Sequence, residues 1–275
     1  MKNLKAMLLL LLVSLCCLNL NAQNDCVAYN NVFNPGELIT YEGAYNWGPI
    51  WVKAGYATFS TKMSTIDSLQ LLHIVGEGKT FKTYDWFFDV HDIYESYIDT
   101  SIMLPYQFLR NVDEDGYLIN NKYTFHHEAQ KAYVHYRKTN NKIKQQNEYI
   151  EIGNCTQDVL SAVFYVRNID YDELEFNDEV PFKIMIDAKV YNVKIVYKGI
   201  EVKKVRRNNK FRCHKIQFDL IPGTIFAEEQ TMTIWATADD NKVPVMVESP
   251  LRIGKAKFYM KNYEGLQYPM EALVD

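Results

Sequence analysis

The sequence lacks the short motifs that mark many enzymes and metalloproteins. It has five cysteines and twelve glycines, but no Cys-x-x-Cys pair, so neither a zinc ribbon nor a thioredoxin-like redox motif is indicated. It contains no Gly-x-Ser-x-Gly elbow and no glycine-rich nucleotide-binding loop. Its formal net charge is −4, whereas nucleic-acid binding requires a basic stripe. We therefore expect no cofactor, no metal and no nucleic-acid partner.

Long apolar runs are also scarce, and the clearest one lies at the N-terminus. Lys2 and Lys5 precede an apolar run over residues 8–15, and the small residue Ala22 follows. A positive start, a short apolar run and a small residue predict a secretory signal peptide over residues 1–22. The run is shorter than the roughly 20 residues of a membrane-spanning helix. No other segment is apolar enough, so we expect no transmembrane segment in the mature chain.

The alternative for this leader is lipidation at Cys16 or Cys17. Processing of bacterial lipoproteins requires a small residue before the modified cysteine, and Leu15 precedes Cys16. Cleavage after Ala22 is therefore favoured over lipidation. We expect an exported protein of the periplasm or outer envelope, with residues 23–275 forming a single β-rich domain.

Three cysteines remain after that cleavage: Cys26, Cys155 and Cys213. An oxidising compartment permits a disulfide, and the odd number leaves at least one thiol unpaired. A bond between Cys155 and Cys213 and three unpaired thiols both stay open at this point.

Aromatic residues, by contrast, are abundant, with 20 Tyr and 14 Phe, and they favour strands. Alternation of apolar and polar residues with period two runs through most of the chain, and its phase flips across Asp187, Ala188 and Lys189, as in a β-hairpin. Strands are predicted at 38–45, 52–62, 69–76, 93–98, 106–112, 118–125, 131–136, 180–186, 191–197, 214–220, 232–236 and 256–260. This spacing predicts a mainly β fold: a curved antiparallel sheet forming an open barrel or a sandwich.

One segment has helical rather than strand periodicity. Residues 156–167 are predicted to form a single helix packed against the sheet, with Thr156 as its cap and Asp158 in its first turn. A short helical turn is predicted at 84–89. The polar run at 138–147 is interpreted as a solvated hairpin loop.

Three segments together resemble the bacterial family called domain of unknown function 3108. They are FNPGELITY at 33–41 with AGYA at 54–57, TQDVLSAVFYVR at 156–167, and IWATADD at 234–240 with Pro244 and Val245 after it. The resemblance implies an exported envelope protein organised as one domain. It implies no catalytic residues.

Aromatic residues provide the candidate ligand-binding positions. Four large rings stand within five residues, and exposed aromatic residues can mark the mouth of a ligand site or an interaction patch. Trp235, followed by the acidic turn at Asp239, could likewise line a ligand cavity, or it could fill one face of the sheet. The candidate ligand-binding residues are Tyr84, Trp86, Phe87, Phe88 and Trp235.

A carboxylate-rich stretch is the candidate for catalysis or metal binding. It comprises Asp85, Asp89, His91, Asp92 and Glu95. A catalytic zinc site usually needs three well-placed protein ligands, and no second histidine stands at helical spacing. A solvated strand edge is the favoured interpretation.

The favoured function is therefore non-enzymatic: binding of a lipid or another apolar or amphipathic ligand, or of an envelope component such as a protein. A first alternative is an envelope hydrolase that uses Asp85, Asp89 and Asp92, which must then converge in a cleft. A second is a structural or assembly partner with a filled interior and no pocket.

Overall fold

The computed structural model describes residues 29–47, 49–84, 89–114, 116–140, 142–206, 209–219, 230–251 and 254–274. The predicted leader at 1–22 lies outside them. The strands are β1 (Leu38–Trp47), β2 (Ile50–Ile66), β3 (Leu69–Thr80), β4 (Val90–Asp99), β5 (Leu104–Glu114), β6 (Tyr117–His126), β7 (Lys131–Asn140), β8 (Lys142–Glu151), β9 (Thr156–Asp158), β10 (Glu179–Ile186), β11 (Lys189–Arg206), β12 (Asn209–Asp219), β13 (Thr231–Thr237), β14 (Pro244–Pro250), β15 (Lys255–Glu264) and β16 (Leu273–Val274). A helix, α1 (Val159–Arg167), and a 3-10 helix (Lys82–Tyr84) complete the described elements.

All of these strands belong to one sheet. Its order is β8-β7-β6-β5-β4-β3-β2-β1-β15-β14-β13-β12-β11-β10-β9, and β16 pairs with β12. Neighbouring strands are antiparallel, except that β9 runs parallel to β10. The sheet is curved and is not closed into a barrel by hydrogen bonds between β8 and β9, the two ends of this order. The predicted fold class is confirmed.

Alternation along the strands determines which side chains face the interior. On β6, Ile119, Tyr123 and Phe125 are at most 5% exposed, whereas Leu118 on the other face is 43% exposed. Because side chains alternate between the faces of a strand, the period-two pattern buries one side of the sheet. That buried side is the concave one.

The β9–β10 end of the sheet order meets β4, β5 and the segment between them across this concave side through side chains. Ser96 on β4 donates a hydrogen bond to the Asp158 carboxylate at the end of β9 (2.6 Å). Gln157 donates to the carbonyl of Met103 (3.0 Å), and Arg110 on β5 pairs with Asp187 in the β10–β11 turn (2.8 Å). The sheet therefore wraps around α1 and holds the helix inside.

The helix begins later than the sequence predicts. Thr156 is not its cap, since Thr156–Asp158 pairs with Lys183–Met185 as the parallel strand β9. Asp158 is the N-cap instead: its carboxylate accepts from the backbone amides of Leu160 and Ser161, and the Ser161 hydroxyl accepts from the Asp158 amide. Thr156 does not cap the helix because it pairs with Lys183, which lies 27 residues further along the chain.

The interpretation of the polar run at 138–147 as a solvated hairpin loop is wrong. The run belongs to two paired strands instead. It comprises the end of β7 and most of β8, which pair from Lys131↔Glu151 to Asn140↔Lys142. Since β8 is the last strand of the sheet order, its polar composition reflects solvent at a sheet edge. The turn predicted at 84–89 corresponds in part to the 3-10 helix that ends at Tyr84, and residues 85–88 lie outside the described ranges.

The bonding state of the cysteines differs from both alternatives that the sequence leaves open. Cys155 is disulfide-bonded, and Cys213 is a free, buried thiol. A Cys155–Cys213 bond and three unpaired thiols are therefore both wrong. Neither helix in the described ranges has the length and apolar character needed to cross a bilayer.

Candidate ligand-binding site

Two apolar cavities lie on the concave side of the sheet, one on each side of α1. Cavity 1 has a volume of about 480 Å³ and is lined by strands β1–β4, β15 and the helix. Cavity 2 has a volume of about 300 Å³ and is lined by strands β10–β13 and the helix. Both volumes fall in the range of roughly 300–1,000 Å³ that is typical of small-molecule sites.

Cavity 1 exists because glycine and alanine occupy inward-facing positions on adjacent strands. The cross-strand register places Gly43 opposite Gly55, Ala57 opposite Gly78 and Phe59 opposite Gly76. Paired residues share one face of a sheet, so a row of mostly small residues, which also contains Phe59, crosses three strands. A Cβ atom added to Gly78 would meet no atom within 4 Å, which marks open space at the centre of the row.

Asp92 is a charged residue among the mostly apolar residues of this cavity. It lies opposite Gly78 in the β3–β4 register, and it accepts a hydrogen bond from the backbone amide of Asp113 (3.3 Å). Burial, followed by the nearby Glu114 carboxylate, raises the pKa of Asp92 to about 6, while the Asp113 hydrogen bond, Arg110 and His91 lower it. Asp92 can thus offer a hydrogen-bonding group beside an apolar wall, and Glu77 and Lys79 also contribute to the lining of cavity 1.

Cavity 2 is formed by large aliphatic and aromatic side chains on the opposite part of the sheet. The residues on strands β10–β13 that line it are Phe182, Ile184, Ile186, Ile195, Ile216, Phe218, Met232, Ile234 and Ala236. Lys242 and Arg167 are the charged residues that contribute to its lining. Its surface therefore suits a hydrocarbon group.

The helix supplies a ridge shared by both cavities. Val159 and Val163 line cavity 1 and cavity 2 alike, and residues four apart lie above one another on one helix face. Val163 is 39% exposed, an unusual environment for an apolar residue in the middle of a short buried helix. The two cavities adjoin at this exposed valine.

The N-terminus of α1 is fixed by a fully buried aspartate. The Asp158 carboxylate accepts from the amides of Leu160 (2.7 Å) and Ser161 (2.8 Å) and from the Ser96 hydroxyl. Burial raises the pKa of Asp158 to about 6, although these hydrogen bonds act in the opposite direction.

The C-terminus of α1 is fixed by a buried ion pair. Arg167 donates to both oxygens of Glu37 (2.6 and 2.8 Å) and to the carbonyl of Asn241 (3.0 and 3.2 Å). Glu37 and Arg167 are 1% and 3% exposed. These contacts join the three sequence segments that carry the family resemblance, since Asn241 directly follows the third.

The predicted ligand-binding residue Trp235 faces away from the cavities. Its neighbours Ile234 and Ala236 line cavity 2, so its ring lies on the other side of β13. There it is 5% exposed, donates to the Glu201 carboxylate (2.5 Å) and lies 3.5 Å from the Lys203 ammonium. Trp235 fills one face of the sheet, the structural role considered for it in the sequence.

The predicted aromatic cluster lies mostly outside the described residues. Trp86, Phe87 and Phe88 lie outside the described residues, and only the backbone of Tyr84 is described. Their ligand contact stays a prediction.

Of the carboxylates in the hydrolase alternative, Asp92 lines cavity 1, whereas Asp89 is exposed and does not. Asp85 lies outside the described residues. His91 pairs with Glu77 (2.8 Å) and His73 with Glu95 (2.8 Å). Among the described residues, no three His, Cys, Asp or Glu side chains are grouped to hold a metal ion.

The glycines at cavity 1 and the valines between the cavities are not among the residues predicted from the sequence. Gly76 and Gly78 stand two apart in one strand, where glycine often marks a close approach of a ligand or another backbone. That spacing is a signal visible in the sequence. No comparable local signal points to Val163, since its exposure depends on the surrounding sheet.

The fold and the site define a class of protein: a single curved β-sheet that wraps around one helix and leaves apolar cavities beside it. The model of the family described as "protein of unknown function (DUF3108)" matches residues 40–261, and the chain belongs to this family. None of the curated proteins matches the sequence.

A solved structure has a similar fold. It is a β-barrel-like protein of the domain of unknown function DUF1849 from Brucella abortus, 9% identical in sequence, with a TM-score of 0.56. The match covers 85% of this chain and 98% of that one. At this identity the likeness concerns the fold alone.

Proposed function

We propose that this protein binds an apolar or amphipathic ligand, such as a lipid, inside its curved sheet, in the cavities beside α1. The observation that carries the proposal is cavity 1, about 480 Å³ in volume, whose centre is left open by Gly78. Transfer of hydrocarbon from water into such a cavity is favourable by roughly 25 cal/mol per Å² of buried apolar surface. Asp92 supplies a polar contact for a head group or a hydroxyl.

Two alternatives from the sequence fit these observations less well. An assembly partner without a pocket requires a filled interior, and two cavities occupy this one. The hydrolase requires several carboxylates in one cleft, and among the described members of its set Asp92 alone lines a cavity. The proposed place of action is the periplasm or outer envelope, which rests on the predicted leader at 1–22.

Uptake of the apolar fluorophore N-phenyl-1-naphthylamine by the chain from Gln23 onward tests the proposal. We expect fluorescence enhancement with the wild type and with Gly78→Ala/Ile234→Val, the matched control that leaves both cavities open. The variant Gly78→Leu/Ile234→Trp, which adds bulk to both cavities, should lose about tenfold or more in affinity.

Thermal unfolding and circular dichroism identify variants that fail to fold. Absence of uptake by the wild type, or equal uptake by the filled variant when it is folded, would contradict the proposal. Native mass spectrometry of protein purified gently from an exporting host adds an independent readout, because a co-purified amphiphile appears as extra mass that denaturation removes.

A further inference from the structure

We infer that the ligand carries two apolar chains joined at one end, one chain for each cavity, so that the molecule straddles the Val159–Val163 ridge of α1. This inference rests on the proposed function and specifies its ligand class. The shared chemistry is that of a diacyl amphiphile, whether a phospholipid or the diacylglyceryl end of another molecule.

The two cavities share part of their lining. Val159 and Val163 contribute to both cavities, so the cavities adjoin along one face of one helix. Val163 is 39% exposed, and the junction is therefore accessible to solvent. A polar group that joins two chains could remain in water there, while each chain extends into its own cavity.

The Val159–Val163 ridge belongs to a helix that is held at both ends. The buried Asp158 carboxylate holds the first turn, and the Glu37–Arg167 ion pair holds the last residue. Because broken buried ion pairs are strongly destabilising, displacement of α1 to merge the cavities is costly. Two separate volumes of about 480 and 300 Å³ thus persist in the folded protein.

Both cavities are lined mostly by apolar residues. Cavity 1 is bounded by residues such as Ala57, Phe59 and Leu160, and cavity 2 by residues such as Ile184, Ile216 and Ile234. A single-chain ligand would fill one cavity and leave the other apolar surface unburied. A two-chain ligand buries both.

Two measurements test the inference: native mass spectrometry and competition against N-phenyl-1-naphthylamine. The probes are dimyristoylphosphatidylcholine, which has two chains, and its one-chain lyso form. We expect one two-chain molecule per protein, and an affinity about tenfold or more above that of the lyso form. A diacylglyceryl-modified peptide, tested in parallel, distinguishes a phospholipid source from a lipidated-protein source by which probe binds more tightly.

Variants assign each chain to its cavity. Gly78→Leu adds bulk only to cavity 1 and should therefore reduce the ratio of two-chain to one-chain affinity to about unity. Ile234→Trp adds bulk to cavity 2 and should reduce that ratio in the same way. Leu118→Trp, which adds bulk on the other face of β6 and away from both cavities, is the control and should retain the preference. Val163→Asp places a charge on the shared ridge, so it should lower the affinity for the two-chain probe about tenfold compared with Val163→Ala.

The outcomes separate the two proposals. If neither probe nor the fluorophore binds, the proposed function fails together with this inference. If the fluorophore and both probes bind, but with equal affinity, or if Gly78→Leu leaves the two-chain preference unchanged while folded, the two-chain inference alone is overturned.

Discussion

The concave face of the sheet is filled on one group of strands and hollow on another. On β5–β7, Phe108, Tyr123 and Val134 point inward and are at most 1% exposed. On β3, the inward-facing positions carry Gly76 and Gly78, and a cavity of about 480 Å³ lies over them. Both regions belong to one sheet with continuous pairing, so the difference arises from side-chain volume.

This comparison shows how the sheet can combine stability with an open site. Protein interiors normally pack at crystal-like density, and the inner side chains of β5–β7 form one buried apolar cluster with Leu160 and Phe164 of α1. The hollow region gives up that packing over a few neighbouring positions, while α1 remains anchored by contacts elsewhere. The variants below test whether the two regions respond differently, from the largest expected effect to the smallest.

Loss of the helix anchor should have the largest effect. Arg167→Met leaves the Glu37 carboxylate buried without its charge partner, and we expect it to lower the free energy of unfolding by about 5 kcal/mol, the upper end of the range for broken buried pairs. Urea denaturation measures this change. The double variant Glu37→Leu/Arg167→Met removes both charges and should recover much of the loss; a double variant as unstable as the single one would show that the charge itself is not the cause.

Creation of a second hollow in the filled region should have the next largest effect. Phe108→Ala is expected to cost about 4 kcal/mol, because a large buried side chain is lost and the surrounding structure collapses only in part. Chemical denaturation gives the value. A cost below about 1 kcal/mol would mean that the inner face at β5 can relax, and that the two regions differ less than their packing indicates.

The buried Asp158 beneath α1 should give a pH-dependent effect of intermediate size. Its folded pKa of about 6 lies above its ordinary value of 3.8, so the folded state binds the proton more tightly. The resulting stability is fully present below about pH 3.8 and is lost as the pH rises through about 6. Between about pH 4.5 and about pH 7.5 the loss should approach about 2 kcal/mol.

The control for this prediction is Asp158→Asn, which keeps an oxygen acceptor at the N-cap. The pKa values of His73, His127 and His214 are lowered by burial, and these groups change stability in the opposite direction. They titrate in both proteins, so the difference between wild type and variant isolates Asp158. If the two pH profiles are parallel, Asp158 remains ionised throughout.

Filling the hollow region should change stability least. Gly78→Leu is expected to leave the free energy of unfolding within about 1 kcal/mol of the wild type, with a small gain because glycine weakens a strand. Gly55→Ala is the contrasting variant, since its Cβ would lie 2.2 Å from the Lys79 carbonyl oxygen, and we expect a loss of about 1–3 kcal/mol. Thermal unfolding of both variants checks the contrast; a large loss at Gly78 would mean that the cavity is not open there.

The sequence by itself determined the β architecture and the positions of most strands. Alternation with period two is a local property, and it reports which residues face the interior wherever one face is buried. The phase flip at Asp187 and Ala188 correctly predicts the turn between β10 and β11, where both residues have positive φ. The role of Asp158 as the N-cap of α1 could likewise be predicted from the sequence, because a capping box is a short-range pattern.

The tertiary structure alone decided how those elements enclose a site. Glu37 and Arg167 are 130 residues apart, and no periodicity links them. Thr156 is a residue type that often caps helices, yet it lies in a parallel strand. It does so because it pairs with Lys183, which belongs to a distant segment. Trp235 and Ile234 are adjacent in the chain but lie on opposite faces of the sheet, and only the wrapping of that sheet around α1 places Ile234 at a cavity and Trp235 behind it. Local patterns specify faces; the pairing of distant strands specifies what those faces surround.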